Sequence, residues 1–139
     1  IHMGCFFTGN NIVFGCNTVI NRNCFFDSRV GKIIIGKNVS ISPETYILTM
    51  THDPNSSDFQ HFSRDVIIND YAWIGTKAMV LPGVNIGKGA VLGAMSVATK
   101  NIEEFSIFAG NPAKFISKRS TDLTYTLNYF PYFNSDINR

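Results

Sequence analysis

Charge is scarce in this chain: Lys and Arg number 12 and Asp and Glu 10, together 16% of 139 residues, for a net +2. So even a balance gives no electrostatic footprint for nucleic acid or an anionic membrane surface. No apolar run approaches the ~20 residues that cross a bilayer, and no leader with a cleavage site is visible, so a cytoplasmic protein is expected. Cysteine is also sparse. Cys5, Cys16 and Cys24 are odd in number and lack the CxxC spacing of metal ligands, which argues for reduced thiols and against a disulfide framework. Of three histidines, His2 falls in Ile1-His2-Met3, which reads as a tag remnant ahead of a start Met. One domain over 4–139 is expected from the length.

What the chain has is a six-residue beat. Ile68, Ile74, Val80, Ile86, Leu92 and Ala98 each begin a hexad, and four places later stand Ala72, Ala78, Val84, Ala90, Ser96 and Ile102, small or β-branched. A helical stripe repeats near 3.6, whereas six is a multiple of the strand period of two. Hexapeptide repeats build parallel β-helices, each hexad giving one short face and a turn. Three hexads close a triangular coil, so residues eighteen apart, such as Ile68 and Ile86 or Ile74 and Leu92, should stack. The inner position is Ile, Val or Leu because it fills a narrow prism. The small position marks the corner.

The beat also runs through Ile35, Ile41 and Ile47, and more weakly through Phe14, Ile20 and Phe26. From Ile35 to Ile68 is 33 residues, so these blocks are out of register and the segment THDPNSSDFQHFSRD between them must loop out. A second slip falls at Gly31. The solenoid is therefore expected over about 14–103, with a protruding loop at about 52–66, and such interruptions often carry function. Beyond it, Asn111 and Pro112 suit the opening of a short helix with Ala113 to Lys118 as its body. The tail to residue 139, with Tyr125, Tyr129, Phe130, Tyr132 and Phe133, is too aromatic for a simple linker and is expected to pack on the solenoid or on a neighbouring subunit.

The remaining histidines, His52 and His61, both lie in the looped-out segment. Imidazole titrates near neutrality and is the commonest general base. His52 directly follows Thr51, the corner residue of an intact hexad, so scaffold fixes its backbone on one side. His61 has no such support. A solvated loop histidine is the plain alternative for either, and two histidines nine apart form no established metal set. Trp73, at the end of a hexad, reads as an exposed indole at a contact surface.

The run YAWIGTKAMVLPGVNIGKGAVLGAMSVATKNIEEFSIFAGNPAKFI, preceded by THD, resembles the hexapeptide-repeat O-acetyltransferases, among them the maltose, galactoside and polysaccharide-cluster acetyltransferases. The resemblance covers roughly Asn10 to Arg119. It implies an all-β, left-handed parallel β-helix, against the usual right-handed crossover rule, assembled as a homotrimer with sites between subunits. It implies acetyl-CoA as donor, no metal, and His52 as the base that deprotonates an acceptor hydroxyl, on a saccharide such as a surface-polysaccharide precursor. The oxyanion donor would be a backbone N–H near Gly75 or Ala78.

Trp73, Gly75, Thr76, Gly93 and Ala94 would line the pantetheine groove, and Lys100, Lys114, Lys118 and Arg119 would meet the nucleotide end of CoA. Asp27 and Asn21 would contact the acceptor. Asp53 would either orient His52 or merely form a turn with Pro54. The sequence departs from maltose and galactoside enzymes in showing no counterpart of the helical N-terminal segment that helps shape their sugar pocket, so neither acceptor is expected to carry over safely. Other readings keep the chemistry on an antibiotic or serine hydroxyl, make the solenoid a non-catalytic assembly module, or invoke a γ-carbonic-anhydrase-like zinc site, which needs a third histidine.

Overall fold

The computed structural model describes residues 1–128, and its chain winds through five coils. The first holds β1 (Phe6–Thr8), β2 (Ile12–Phe14) and β3 (Val19–Ile20), and the second β4 (Phe25–Asp27), β5 (Ile33–Ile35) and β6 (Ser40–Ile41). The third starts with β7 (Tyr46–Leu48), leaves the solenoid as a hairpin of β8 (Met50–His52) and β9 (His61–Ser63), and resumes with β10 (Val66–Ile68) and β11 (Trp73–Ile74). The fourth holds β12 (Met79–Val80), β13 (Asn85–Ile86) and β14 (Val91–Leu92). The fifth has β15 (Val97–Ala98), a single bridge at Ile102 and β16 (Ser106–Ala109), after which β17 (Lys114–Lys118) turns back.

Like strands of successive coils pair in parallel and make three faces. Face A is β1-β4-β7-β12-β15, face B is β2-β5-β10-β13, and face C is β3-β6-β11-β14-β16 with β17 on its edge. The register is the one the hexads dictate: Ile68 stacks with Ile86, and Ile74 with Leu92. Where the phase slips, the separation changes instead of the pairing. Ile35 stacks with Ile68, 33 residues on, and Phe14 with Ile35, 21 on.

The prism is filled as the small and large positions require. Ile20, Ile41, Ile74 and Leu92 from face C, Phe26, Ile47 and Val80 from face A, and Ile35, Ile68 and Ile86 from face B are all buried, with Val39, Ala72, Ala78 and Ala90 at the corners. Each fully buried Ile contributes roughly 1.5–3 kcal/mol relative to exposure. The tight corners need left-handed backbone, which Asn tolerates well. Hence Asn17 and Asn38 at the corner between faces B and C, and Asn23 at that between C and A, all have positive φ. Stacking begins at Phe6, eight residues before the first inner residue recognised in the sequence.

The short helix expected over 113–118 is not formed. That segment is β17, antiparallel to β16, with Ser106 opposite Lys118 and Ala109 opposite Lys114. The physical reason is the open edge of β16, whose unpaired N–H and C=O groups are satisfied by an added strand and not by a helix lying across them. Beyond it the chain runs along the corner between B and C: Arg119 N–H donates to Phe105 O, Tyr125 Oη to Tyr71 O and Leu127 N–H to Asn38 Oδ1. Leu123, Tyr125 and Leu127 are half-buried and alternate with exposed residues, so this part of the tail packs on its own solenoid. Tyr129, Phe130, Tyr132 and Phe133 lie outside the described residues. Among the described residues no helix is long and apolar enough to cross a membrane.

Candidate active site

The slips of the repeat fall at one place, the corner between faces A and B, including one in the fifth coil, where Ile102 stacks on Ile86 as an inner residue and not in the small position expected for it. Phe26 and Ile35 flank the one in the second coil, nine residues apart where a regular hexad has six, and Ile47 and Ile68 flank the hairpin. The hairpin is rooted on the segment beneath it. Buried Thr49 gives both its N–H (3.2 Å) and its hydroxyl (2.6 Å) to the Asp27 carbonyl. The Thr49 carbonyl in turn accepts from Arg64 N–H and Ser63 Oγ, which closes the other leg of the hairpin. Gly31 allows the approach, because a Cβ there would lie 2.5 Å from Ser63 Oγ.

His52 ends β8 directly opposite His61 in β9, their rings 6.3 Å apart. Its Nδ1 lies 2.8 Å from the Phe59 carbonyl oxygen. A carbonyl can only accept, so Nδ1 carries a proton, and whenever the ring is neutral the lone pair is on Nε2. The Phe59 ring also stacks on the imidazole at 3.9 Å between centroids and 14° between planes. Phe59 supplies both contacts from a left-handed backbone, φ 54°, which is uncommon for a bulky residue. The ring is thus held by one nitrogen, and Nε2 has no partner among the described residues.

Asp53 does not orient His52 here: its carboxylate accepts from Asn55 N–H at 2.9 Å and its own N–H donates to Gln60 O, so it shapes the hairpin turn. The orienting group is a main-chain carbonyl, which carries no side-chain signature in the sequence. Phe59 was legible only as an aromatic in a polar loop.

Opposed residues of a two-stranded ribbon share a face. Met50, His52, His61 and Ser63 therefore lie on one side of the hairpin, and Ser63 marks that side as the one against Gly31 in the second coil. Arg64 lies on the other, its stem against Gly83 of the fourth coil. Asp27 belongs to the His52 side. Its carboxylate is buried and accepts from Arg29 Nε and Nη2, both at 2.9 Å, and from Thr8 Oγ1 at 3.0 Å. The Arg29 bonds hold its pKa below the ordinary carboxylate value in spite of burial.

A second, different surface runs along the corner between faces C and A. Trp73 projects from β11, 48% exposed, and donates Nε1–H to Ser42 Oγ. Asn21, Ser42, Gly75 and Gly93 stand in one column just after the inner residues of face C, so Asn21 sits with the groove residues and not with Asp27; its amide donates to Ile41 O. At Gly75 a Cβ would come within 2.5 Å of Ala94 N, so only glycine lets the coils close. The N–H groups of Gly75 and Ala78 are taken by Leu92 O and Gly75 O, which removes them as oxyanion donors. Exposed Thr76 and Ala94, one coil apart, present N–H groups with no partner among the described residues.

The basic residues do not cluster. Lys114 stands at the upper end of the C–A corner and Lys100 at the A–B corner of the fifth coil. Lys118 pairs with Glu103 at 3.2 Å and donates to Ser106 Oγ, while the Arg119 guanidinium donates to Tyr71 O and Gly89 O across two coils. No group of three or more His, Cys, Asp and Glu among the described residues is arranged to hold a metal ion.

A parallel β-helix with a histidine-bearing hairpin at one edge and a small-residue groove at another defines a class of hexapeptide-repeat solenoid, and comparison with known proteins places the chain within it. It is similar to a maltose O-acetyltransferase from Clostridium difficile, 33% identical, covering 85% of this chain and 68% of that one, with a TM-score of 0.74. A galactoside acetyltransferase solved in complex with coenzyme A is 30% identical, covering 86% of this chain and 62% of that one, with a TM-score of 0.81. A protein of Schizosaccharomyces pombe provisionally named an acetyltransferase is 40% identical over 116 residues, 79% of this chain. The chain spans about half the length of that relative, 54%. No family model matches. The chain belongs to the hexapeptide-repeat acetyltransferases, and its fold is their left-handed parallel β-helix.

Proposed function

We propose that this protein is an acetyl-CoA-dependent O-acetyltransferase in which His52 Nε2 is the general base. The observation that carries the reading is the bond from His52 Nδ1 to the Phe59 carbonyl, which in the neutral ring leaves the lone pair on Nε2, as a base requires. Nε2 takes the proton of an acceptor hydroxyl as its oxygen attacks the thioester carbonyl. The tetrahedral intermediate collapses with expulsion of the CoA thiolate, and the proton on Nε2 passes to that sulfur. Base assistance of this kind is worth typically ~10²–10⁴ in rate.

The groove at the C–A corner suits the donor. Gly75, Thr76, Gly93 and Ala94 leave the edge free of bulk, and the N–H groups of exposed Thr76 and Ala94, without partners among the described residues, are spaced by one coil, about 4.8 Å, for carbonyl oxygens of an extended arm. Trp73 would flank the arm, and Lys114, at the top of the same corner, would meet phosphate. Within one chain His52 and this groove occupy different edges of the prism. A cyclic trimer that sets the A–B edge of one copy against the C–A edge of the next would bring them together. Face A, between those edges, carries an outward aromatic ladder, Phe6 on Phe25 at 5.8 Å and Phe25 on Tyr46 at 5.6 Å, with Phe6 61% and Tyr46 44% exposed. Such a stripe suits burial between subunits.

The acceptor in this reading is a saccharide hydroxyl, as on a surface-polysaccharide precursor, acetylated in the cytoplasm, where three unpaired thiols are at home. The test is calorimetric titration of acetyl-CoA into the purified protein. Saturation at about one site per chain is expected; no binding would remove the enzymatic reading.

A further inference from the structure

The acceptor side of the site contains a carboxylate that is already spoken for. Both Asp27 oxygens are in use: Oδ1 accepts from Thr8 Oγ1, Arg29 N–H and Arg29 Nε, and Oδ2 accepts from Arg29 Nη2. The Asp27 side chain is 7% exposed and that of Arg29 54%. A ligand approaching this corner therefore meets the guanidinium first. Arg29 spends Nε–H and one Nη2 hydrogen on the clamp, and its Nη1 has no partner among the described residues. Of five N–H donors, three remain to face outward from a fork whose plane is fixed.

The place of this fork is not incidental. Arg29 lies in the short insertion of the second coil, between Asp27, whose carbonyl anchors the hairpin through Thr49, and Gly31, on which the hairpin rests through Ser63. The side of the hairpin that rests on Gly31 is the side that carries His52. The His52 face of the hairpin and the Arg29 guanidinium thus adjoin the same corner, from above and below.

We propose that Arg29 is the group that binds the acceptor at this corner, donating N–H bonds to an acceptor oxygen, and that Asp27 is a positioning residue that acts through it. The proposal rests on the acetyltransferase reading given above. It inverts the expectation that Asp27 itself hydrogen-bonds the acceptor, and it makes Arg29 a determinant of acceptor choice. An acceptor whose oxygens match a planar fork, vicinal hydroxyls or a carboxylate, is favoured over one with a single hydroxyl.

The test follows CoA release from acetyl-CoA with maltose, isopropyl β-D-galactoside and chloramphenicol as probe acceptors, beside calorimetric acetyl-CoA binding. On the best probe, Arg29→Ala is expected to raise acceptor KM about tenfold to a hundredfold, the scale of a lost charge-assisted hydrogen bond, with kcat within a few-fold and acetyl-CoA affinity unchanged. Arg29→Lys, which keeps a cation and loses the fork, should fall between. Asp27→Asn, which loosens the clamp, should raise KM less than Arg29→Ala does. If Asp27 were the ligand, Arg29→Ala would unmask its carboxylate, and an acceptor KM that falls or stays put in that variant, with Asp27→Asn the more damaging change, overturns the proposal. Wild-type protein that binds no acetyl-CoA overturns the functional reading instead, and this one with it.

Discussion

Two edges of the same prism have been built by opposite means. At the A–B corner the hexad is broken repeatedly, and the two longest breaks deliver large polar side chains: His52 on the hairpin, Asp27 and Arg29 below it. At the C–A corner the hexad is kept in every coil from Ile68 onward and the side chains are pared back, to Gly75 and Gly93, with Thr76 and Ala94 beside them. With His52 as the proposed base and the C–A groove as the proposed seat of the donor arm, the difference teaches what each task needs. A base must project from the scaffold and be held by a second contact, which a six-residue turn has no room to supply. A long arm must lie close to backbone N–H groups at a fixed interval, which a regular stack supplies by itself.

The sharpest way to break the comparison is at His52. In His52→Ala, transfer to any accepted probe should fall by ~10²–10⁴, while acetyl-CoA affinity and thermal stability stay at wild-type values, because the imidazole is exposed and belongs to the projecting edge alone. Steady-state rates with calorimetry decide it, and retained turnover would remove His52 from the chemistry. The converse change is Gly75→Ala at the regular edge. A methyl group 2.5 Å from Ala94 N forces two coils apart, at a cost of roughly 1–3 kcal/mol by overpacking. It should lower the melting temperature and weaken acetyl-CoA binding together. If binding is lost with no fall in stability, the groove is more specific than close approach alone requires.

These two edges were not equally legible in the sequence. The stack itself was: Ile68, Ile74, Val80 and Ile86 sit in the core because an inward residue every sixth place leaves few alternatives, and the slip at Gly31 is where the phase arithmetic puts it, whereas the chain leaves the solenoid before Thr51, which is exposed on β8 and is not the corner of an intact hexad. The hairpin was visible as an interruption, and His52 as its best-supported histidine. Its partner was not, since a carbonyl belongs to every residue and only the path of the hairpin selects that of Phe59. Lys114, Lys118 and Arg119 are neighbours in the chain but part company in space, because β17 lies along the rim and Arg119 turns to the B–C corner. The strand in place of a helix over 114–118 has the same origin: local propensity cannot report an unpaired edge that only the finished solenoid presents.

A smaller effect sharpens the electrostatic half of the contrast. The Asp27 carboxyl is held below its ordinary pKa, chiefly by the Arg29 bonds, so its folded value lies under its unfolded one. The stability it contributes is then present in full above the unfolded value, near ~3.9, and is lost as pH falls through the depressed folded value. Asp27→Asn should therefore be less stable than wild type at pH 7, with the gap closing in strong acid. Denaturant melts at pH 7 and stepwise below pH 4 measure it; a gap that does not change with pH would mean that charge plays no part in the clamp.

The smallest expected effect touches no activity and reports how tightly the regular edge is shut. Cys24 lies in the small position of the C–A corner, buried, its thiol directed to Ser42 O at 3.2 Å, one residue column from the Trp73 contact on Ser42 Oγ. Burial pushes its pKa up to about 11. At pH 8 the reactive thiolate is then about one part in a thousand, before any steric hindrance is counted. Cys16, at the B–C corner, is exposed, and Cys5 is half-buried. A maleimide or disulfide reagent at pH 8 should modify Cys16 first and Cys24 last, with mass spectrometry of digested protein giving the order. Gly75→Ala, if it opens the coils at the C–A corner, should raise the rate at Cys24 and leave Cys16 as it was. An unchanged Cys24 rate in that variant would place the strain of the added methyl elsewhere, and would separate the closeness of the groove from the closure of the core behind it.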